Sequence, residues 1–172
     1  MTETLTQEWR LWRQSGTGSV ERQAIEQNIV FLSGVLGHFV SDSANPHHAS
    51  IHYNGWADSL NPNRYANDCD AHSRFETQFV SREIAFVDVF PHLAAPVLRI
   101  DYFSTALELI RNSQSKIEEI YRIDRDGGFL PRRSTDESRA FAISRLAHGA
   151  SYLRDLWWSA YKNSASPAPR RQ

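Results

Sequence analysis

His38-Phe39-Val40-Ser41-Asp42, then Asn45-Pro46-His47-His48, and after a loop His72-Ser73-Arg74-Phe75-Glu76 form the stretch around which this chain is organised. In the first and last of these segments two metal-ligand side chains stand four residues apart. On a helix that separation is about 400° of rotation and about 6 Å of rise, so His38 shares a face with Asp42, and His72 with Glu76. The stretch therefore predicts a helix on either side of an irregular connection, with imidazole and carboxylate groups on both. The same spacing also arises on solvated helix faces, and spacing alone leaves both readings open.

Upstream, Leu5, Trp9 and Trp12 make an apolar stripe for a short first helix capped by Thr2 or Thr4 and ending near Gly16. Gly16-Thr17-Gly18 is a turn and not a phosphate loop, because no Lys-Ser/Thr follows it at the required spacing. Ser19 caps a second helix over residues 20–42, in which Ile25, Ile29, Leu32, Leu36 and Phe39 or Val40 mark one buried face. Gly34 and Gly37 offer room for a neighbouring helix. Pro46 forces the chain out of the helix.

Residues 47–70 are turn formers and aromatics and read as a long irregular loop of the functional kind. A third helix carries His72 and Glu76 on toward Phe86 or Phe90, and Pro91 and Pro96 bracket a break. A fourth is expected over residues 97–123, with Leu107, Ile110, Ile117, Ile120 and Tyr121 facing the core, ended by Gly127-Gly128. Ser134 or Thr135 opens a last helix in which Phe141, Leu146, Ala150, Leu153 and Trp157 pack inward. No strand alternation appears. The expected fold is an all-α multi-helix bundle with one helical domain over residues 1–163 and a disordered Ser-, Pro- and Arg-rich tail over 164–172.

Nineteen basic and twenty acidic side chains give a net charge of −1, which leaves no electrostatic footprint for duplex DNA. No apolar run approaches the roughly 18 residues of a membrane span, and the first residues lack the regions of a signal peptide. The lone Cys69 excludes an intrachain disulfide framework. His38, Asp42, His48, His72 and Glu76 are the candidate metal ligands, a mixed nitrogen and oxygen set suited to zinc. His48 and His52 also stand four apart, without the intervening Glu of a His-Glu-x-x-His protease. His47 is expected at the surface, and His92 and His148 as capping or packing side chains.

Gly37-His38-Phe39-Val40-Ser41-Asp42, Asn45-Pro46-His47-His48, Ser50 to Trp56 and Ala71-His72-Ser73-Arg74-Phe75-Glu76 together resemble the superfamily of zinc-dependent phospholipases C and fungal single-strand-specific nucleases. The similarity runs from about Trp9 to Trp158. The resemblance implies a mostly helical hydrolase that holds up to three Zn(2+) ions and cleaves phosphodiester bonds in single-stranded nucleic acid or phospholipid. It gives His48, His72 and Glu76 as the complete ligand set of one zinc. His38 and Asp42 match part of the remaining pair, with Asp42 as the bridging, catalytic carboxylate. The family usually has Gly at Ser41, Gln at Asn45 and Leu at His47, and takes its other ligands from upstream residues that have no counterpart before His38. The chain is thus expected to be the C-terminal part of a larger catalytic domain, secreted or periplasmic like its relatives, or a non-catalytic zinc-stabilised module.

Overall fold

The computed structural model describes residues 1–166, and every regular element among them is helical. Helix α1, Thr2–Gln14, buries Leu5 and Thr6. Met1 holds its cap position without a side-chain bond, so neither Thr2 nor Thr4 is the cap. Helix α2, Val20–Ala44, opens at Ser19, whose hydroxyl accepts from Arg22 N at 3.1 Å. Ile25, Ile29, Leu36 and Val40 form its buried face, while Phe39 is exposed. Gly37 lies against Leu153, but a Cβ added at Gly34 would meet nothing within 4 Å, so no helix packs closely there.

After Asn45, Pro46–Ala49 forms a 3-10 turn, and the loop that follows runs to Asp70. Helix α3, Ala71–Ser73, a π-helical stretch Arg74–Phe79 and helix α4, Val80–Glu83, make one continuous run. This run stops earlier than the sequence pattern suggests: Ile84 and Ala85 are extended, and helix α5, Phe86–Val89, starts afresh before a 3-10 turn at Phe90–His92.

The predicted fourth helix is two helices preceded by an extended strap. Residues 93–101 lie along helix α8, Asp136–Asn163, and a row of α8 side chains four residues apart holds them. Ser151 accepts from Ala94 N at 3.0 Å, Asp155 from Val97 N at 3.1 Å and Ser159 from Arg99 N at 2.7 Å, and Asn163 donates to Arg99 O at 3.1 Å. These bonds take backbone groups that a helix would have used internally. Asp101 then caps helix α6, Tyr102–Gln114, and after Ser115 and Lys116 helix α7 runs Ile117–Arg125. Leu109, and neither Leu107 nor Ile110, is the fully buried leucine-type residue of α6.

Thr135 caps α8, accepting from Ser138 N at 3.1 Å. The buried face of α8 contains Phe141, Ala142, Tyr152, Leu156 and Ala160, whereas Leu146, Ala150 and Trp157 are exposed. Small and polar residues, chosen to seat α2 and the strap, set that face; an apolar stripe alone misplaces it. Gly149 is one of them: a Cβ there would stand 2.8 Å from Ala44 Cβ, so α2 and α8 touch at this point.

Ser164 is buried and accepts from Arg13 Nε at 2.9 Å, so residues 164–166 continue the packing of α8 against α1. The rest of the expected disordered tail, 167–172, lies outside the described residues. The core has two parts. Leu5, Ile25, Leu36, Leu109 and Leu156 join α1, α2, α6 and α8; Phe75, Phe79, Ile120, Tyr121, Phe129 and Phe141 join the α3–α4 run, α7 and α8. The C-terminal end of α2 belongs to the first part, through Val40 and Ala44, and the start of α3 to the second, through Ala71. No helix of the described residues is long and apolar enough to cross a membrane.

Candidate metal centre

The 3-10 turn separates the two adjacent histidines, because about three residues per turn place neighbours roughly 120° apart. His47 turns inward and is 2% exposed, with its ring 5.6 Å from those of His72 and Tyr121. The expectation that it lies at the surface is therefore wrong: in the 3-10 turn that begins at Pro46 its side chain points into the core. Burial first, then the neighbouring His72 and His48, pushes His47 down to about 3. His48 turns outward, toward α2 and α3.

His48, His72 and Glu76 each bring one ligand atom within 4.8 Å of the others. Glu76 Oε2 stands 2.9 Å from His72 Nε2 and 3.5 Å from His48 Nε2. Ligands about 2.0–2.1 Å from a tetrahedral zinc lie roughly 3.3–3.4 Å apart, so this donor set needs only small adjustments to hold an ion. Asp42 adjoins it, with Oδ1 3.9 Å from His48 Nε2 and Oδ2 3.4 Å from His38 Nε2. The His38 side chain is 72% exposed, and its neighbour in this network is Asp42. His38, Asp42, His48, Glu76 and His72 thus form a continuous chain of polar contacts across the helix ends.

The elements behind these side chains are pinned individually. Asn45 Oδ1 accepts from His47 N at 3.1 Å, starting the turn, and Asn45 Nδ2 donates to Glu76 Oε2 at 2.6 Å. Burial would raise the Glu76 carboxyl, but hydrogen bonds from His72 and Asn45 outweigh it, and the group sits below its ordinary value. Glu76 lies in the π-helical stretch, an arrangement that tends to mark functional sites. Asn54 Oδ1 accepts from His72 N at 3.1 Å and so attaches the long loop to the start of α3.

Tyr121 and Arg74 secure the loop from beneath. The Tyr121 hydroxyl donates to His52 O and accepts from Gly55 N, both at 2.8 Å; burial pushes it up to about 12. Gly55 has φ +142 and an added Cβ would stand 3.1 Å from Asn67 Cα, a position that only glycine fills without strain. Arg74 donates to both oxygens of the buried Asp124, at 2.7 and 2.8 Å, and to Asp68 at 3.0 Å. His52 stacks on Trp56 at 3.9 Å and accepts from Ala57 N through Nδ1, which commits that nitrogen to the loop. Cys69 is exposed and at φ +60, and none of the cluster's atoms comes from it.

Sequence reading did not single out Asn45 or Arg145 for a role at the site. Asn45 before proline reads as a turn residue. Arg145 carried a usable signal, since it falls four residues after Phe141 and four before Gly149, on what becomes the buried face. No family model, curated protein or solved structure matches this chain.

Proposed function

We propose that the chain is a zinc-dependent phosphoesterase of the helical phospholipase C and single-strand nuclease type, acting on phosphodiester bonds in phospholipid or single-stranded nucleic acid. The observation that carries the reading is the approach of His48, His72 and Glu76 to within 4.8 Å, from two elements 24 or more residues apart. Their nitrogen and oxygen donors fit zinc, and three protein ligands leave a position open, as in catalytic sites. Zinc bound there would supply a Lewis acid for a phosphoryl oxygen and a means of making water nucleophilic at neutral pH. The chain's own part is to hold that site: Asn45 orients Glu76, and His72 is fixed through Asn54. Asp42, between His38 and His48, would help His38 to hold a further ion.

The test measures bound zinc and chelator-sensitive hydrolysis of bis(p-nitrophenyl) phosphate, single-stranded DNA and phosphatidylcholine by the same preparation. Since only one ligand set is complete, turnover is expected to be slow; losing a main electrostatic contribution commonly costs about 100-fold to 1,000-fold in rate. Activity that is unaffected by chelator, or that survives His48→Ala and His72→Ala, would sink the proposal. The exposure of His38, 72% for its side chain, favours a second reading in which zinc only stabilises the helices. Tight zinc binding without hydrolysis of any of the three substrates would select it.

A further inference from the structure

A groove of about 490 Å³ opens beside the metal-ligand cluster, bounded by Asp42, Asn45 and Glu76 on one side and by α8 on the other. Its walls are apolar: Phe75, Val80, Ile84, Phe86, Leu146 and Leu153 contribute to them. Arg145 lines it too, and it is 6% exposed. Its Nη1 donates to Asn112 Oδ1 at 2.8 Å, but its Nε is buried without a partner among the described residues. Burying a guanidinium in this way is costly unless something anionic meets it. Burial lowers its pKa, and Glu119, the acid whose charge opposes this, is engaged with Lys116 at 2.9 Å.

Helix register locates that cation along the groove. Gly37 faces Leu153 and Ala44 faces Gly149, so α2 and α8 run antiparallel here. Arg145, one turn before Gly149, therefore lies toward the end of α2 that leads into Asn45 and His48. The volume falls in the range of sites that enclose a small ligand. An apolar wall with one cation, Arg145, whose Nε has no partner among the described residues, is complementary to an amphiphile with a single anionic head, and offers little to a polyanion.

We infer that this groove binds an alkyl phosphate ester, its chain along Phe75, Val80, Ile84 and Leu153 and its head at Arg145, next to Glu76. The phosphate head, in preference to a carboxylate, rests on the reading of the cluster as a phosphoesterase site. Arg145 is then a substrate-binding residue that decides which phosphodiesters reach the cluster.

The experiment titrates decyl phosphate, decanoate, decanol and inorganic phosphate into the zinc-loaded and the metal-free 172-residue chain. Decyl phosphate is expected to bind at least tenfold more tightly than decanol or inorganic phosphate. Arg145→Gln should lose tenfold or more for decyl phosphate and stay within twofold for decanol. Ala150→Phe, which fills the groove from an exposed position of α8, should weaken both decyl compounds and spare inorganic phosphate. Inorganic phosphate binding as tightly as decyl phosphate, or unchanged decyl phosphate affinity in Arg145→Gln, overturns the inference. Where the Gln variant does not fold, Arg145→Lys decides: unchanged affinity overturns, and a loss of threefold or more supports. Decanoate equal to decyl phosphate overturns the phosphate assignment. Absence of zinc binding with Arg145-dependent decyl phosphate binding intact would remove the metal reading and leave the groove standing.

Discussion

Asn45 Nδ2 donates to Glu76 Oε2 at 2.6 Å while Asn45 Oδ1 accepts from His47 N at 3.1 Å, so one side chain ties the turn that presents His48 to the carboxylate that completes the ligand set. Asn45 thus takes one lone pair of the same oxygen that faces His72 and His48, and fixes where that oxygen points. Asn45→Ala should lower zinc affinity about 10-fold to 100-fold, and Asn45→Gln, which keeps the amide, should recover part of it. Competition with a chromophoric chelator measures this. An Asn45→Ala affinity equal to that of the parent would show that Glu76 needs no such support.

Zinc stoichiometry follows from the ligand count. One ion should resist a chelator, and His48→Ala, His72→Ala or Glu76→Gln should release it, whereas His38→Ala should retain it because that side chain lies outside the three-residue set and contacts Asp42 instead. Zinc at 100 times its Kd should raise stability by about 2.7 kcal/mol, seen as a higher Tm that chelator removes. Three retained ions by metal analysis would mean that other side chains complete the His38 and Asp42 pair.

The helical class, the span of α2 and the pairing of His38 with Asp42 and His72 with Glu76 were legible because each depends on local periodicity and a single cap. The break in the fourth predicted helix was not, since Ser151, Asp155 and Ser159 remove it from about 60 residues away. His47 shows the same limit. Adjacent histidines look alike in sequence, and only the 3-10 turn after Pro46 separates a buried ring from one that faces the cluster. The π-helical stretch at Glu76 has no sequence signal in an otherwise regular pattern. What proved hidden was the pairing of distant polar groups, on which both the strap and the support of Glu76 depend.

Arg74 joins the loop to the core through Asp124, whose side chain is 4% exposed. Removing Arg74 leaves the Asp124 charge buried, so Arg74→Ala should cost about 3–5 kcal/mol in denaturant unfolding. Asp124→Ala should cost less, because Arg74 keeps Asp68 at 3.0 Å and Asp70 at 3.3 Å. Arg74→Met with Asp124→Leu should be milder than Arg74→Ala. The same single variants should loosen residues 50–70, giving new protease cuts there. A double variant as unstable as the sum of the two singles would contradict this account.

His148 gives a pH dependence of definite sign. Burial chiefly, then Arg145 and Arg99, holds it below the ordinary histidine value, with Glu108 opposing; Tyr152 packs on its ring at 4.8 Å. The unfolded chain therefore takes up the proton first as pH falls through about 6.5, and stability present above that pH is lost toward the folded value. Buried His47 acts in the same direction, so the comparison must isolate His148. His148→Phe should lose less Tm than the parent between pH 8 and pH 5.5, both in chelator. An equal or larger loss would rule out a neutral buried His148.

Gly149 tests whether the α2–α8 contact places the cluster. Glycine to alanine inside a helix ordinarily gains about 1 kcal/mol. Here the new Cβ would meet Ala44 Cβ at 2.8 Å, and overpacking of that kind costs about 1–3 kcal/mol. The clash should therefore cancel the gain or exceed it, giving Gly149→Ala a stability equal to the parent or up to about 2 kcal/mol lower. Ala44 immediately precedes Asn45, so forcing the helices apart should also shift Asn45 from Glu76 and weaken zinc binding. Gly149→Ala combined with Ala44→Gly removes the clash and should restore zinc affinity, even though the glycine now in α2 keeps stability low. Chelator competition and thermal unfolding on the three variants separate the two effects. A Gly149→Ala protein that is more stable than the parent and binds zinc equally well would show that α2 tolerates displacement without moving the site.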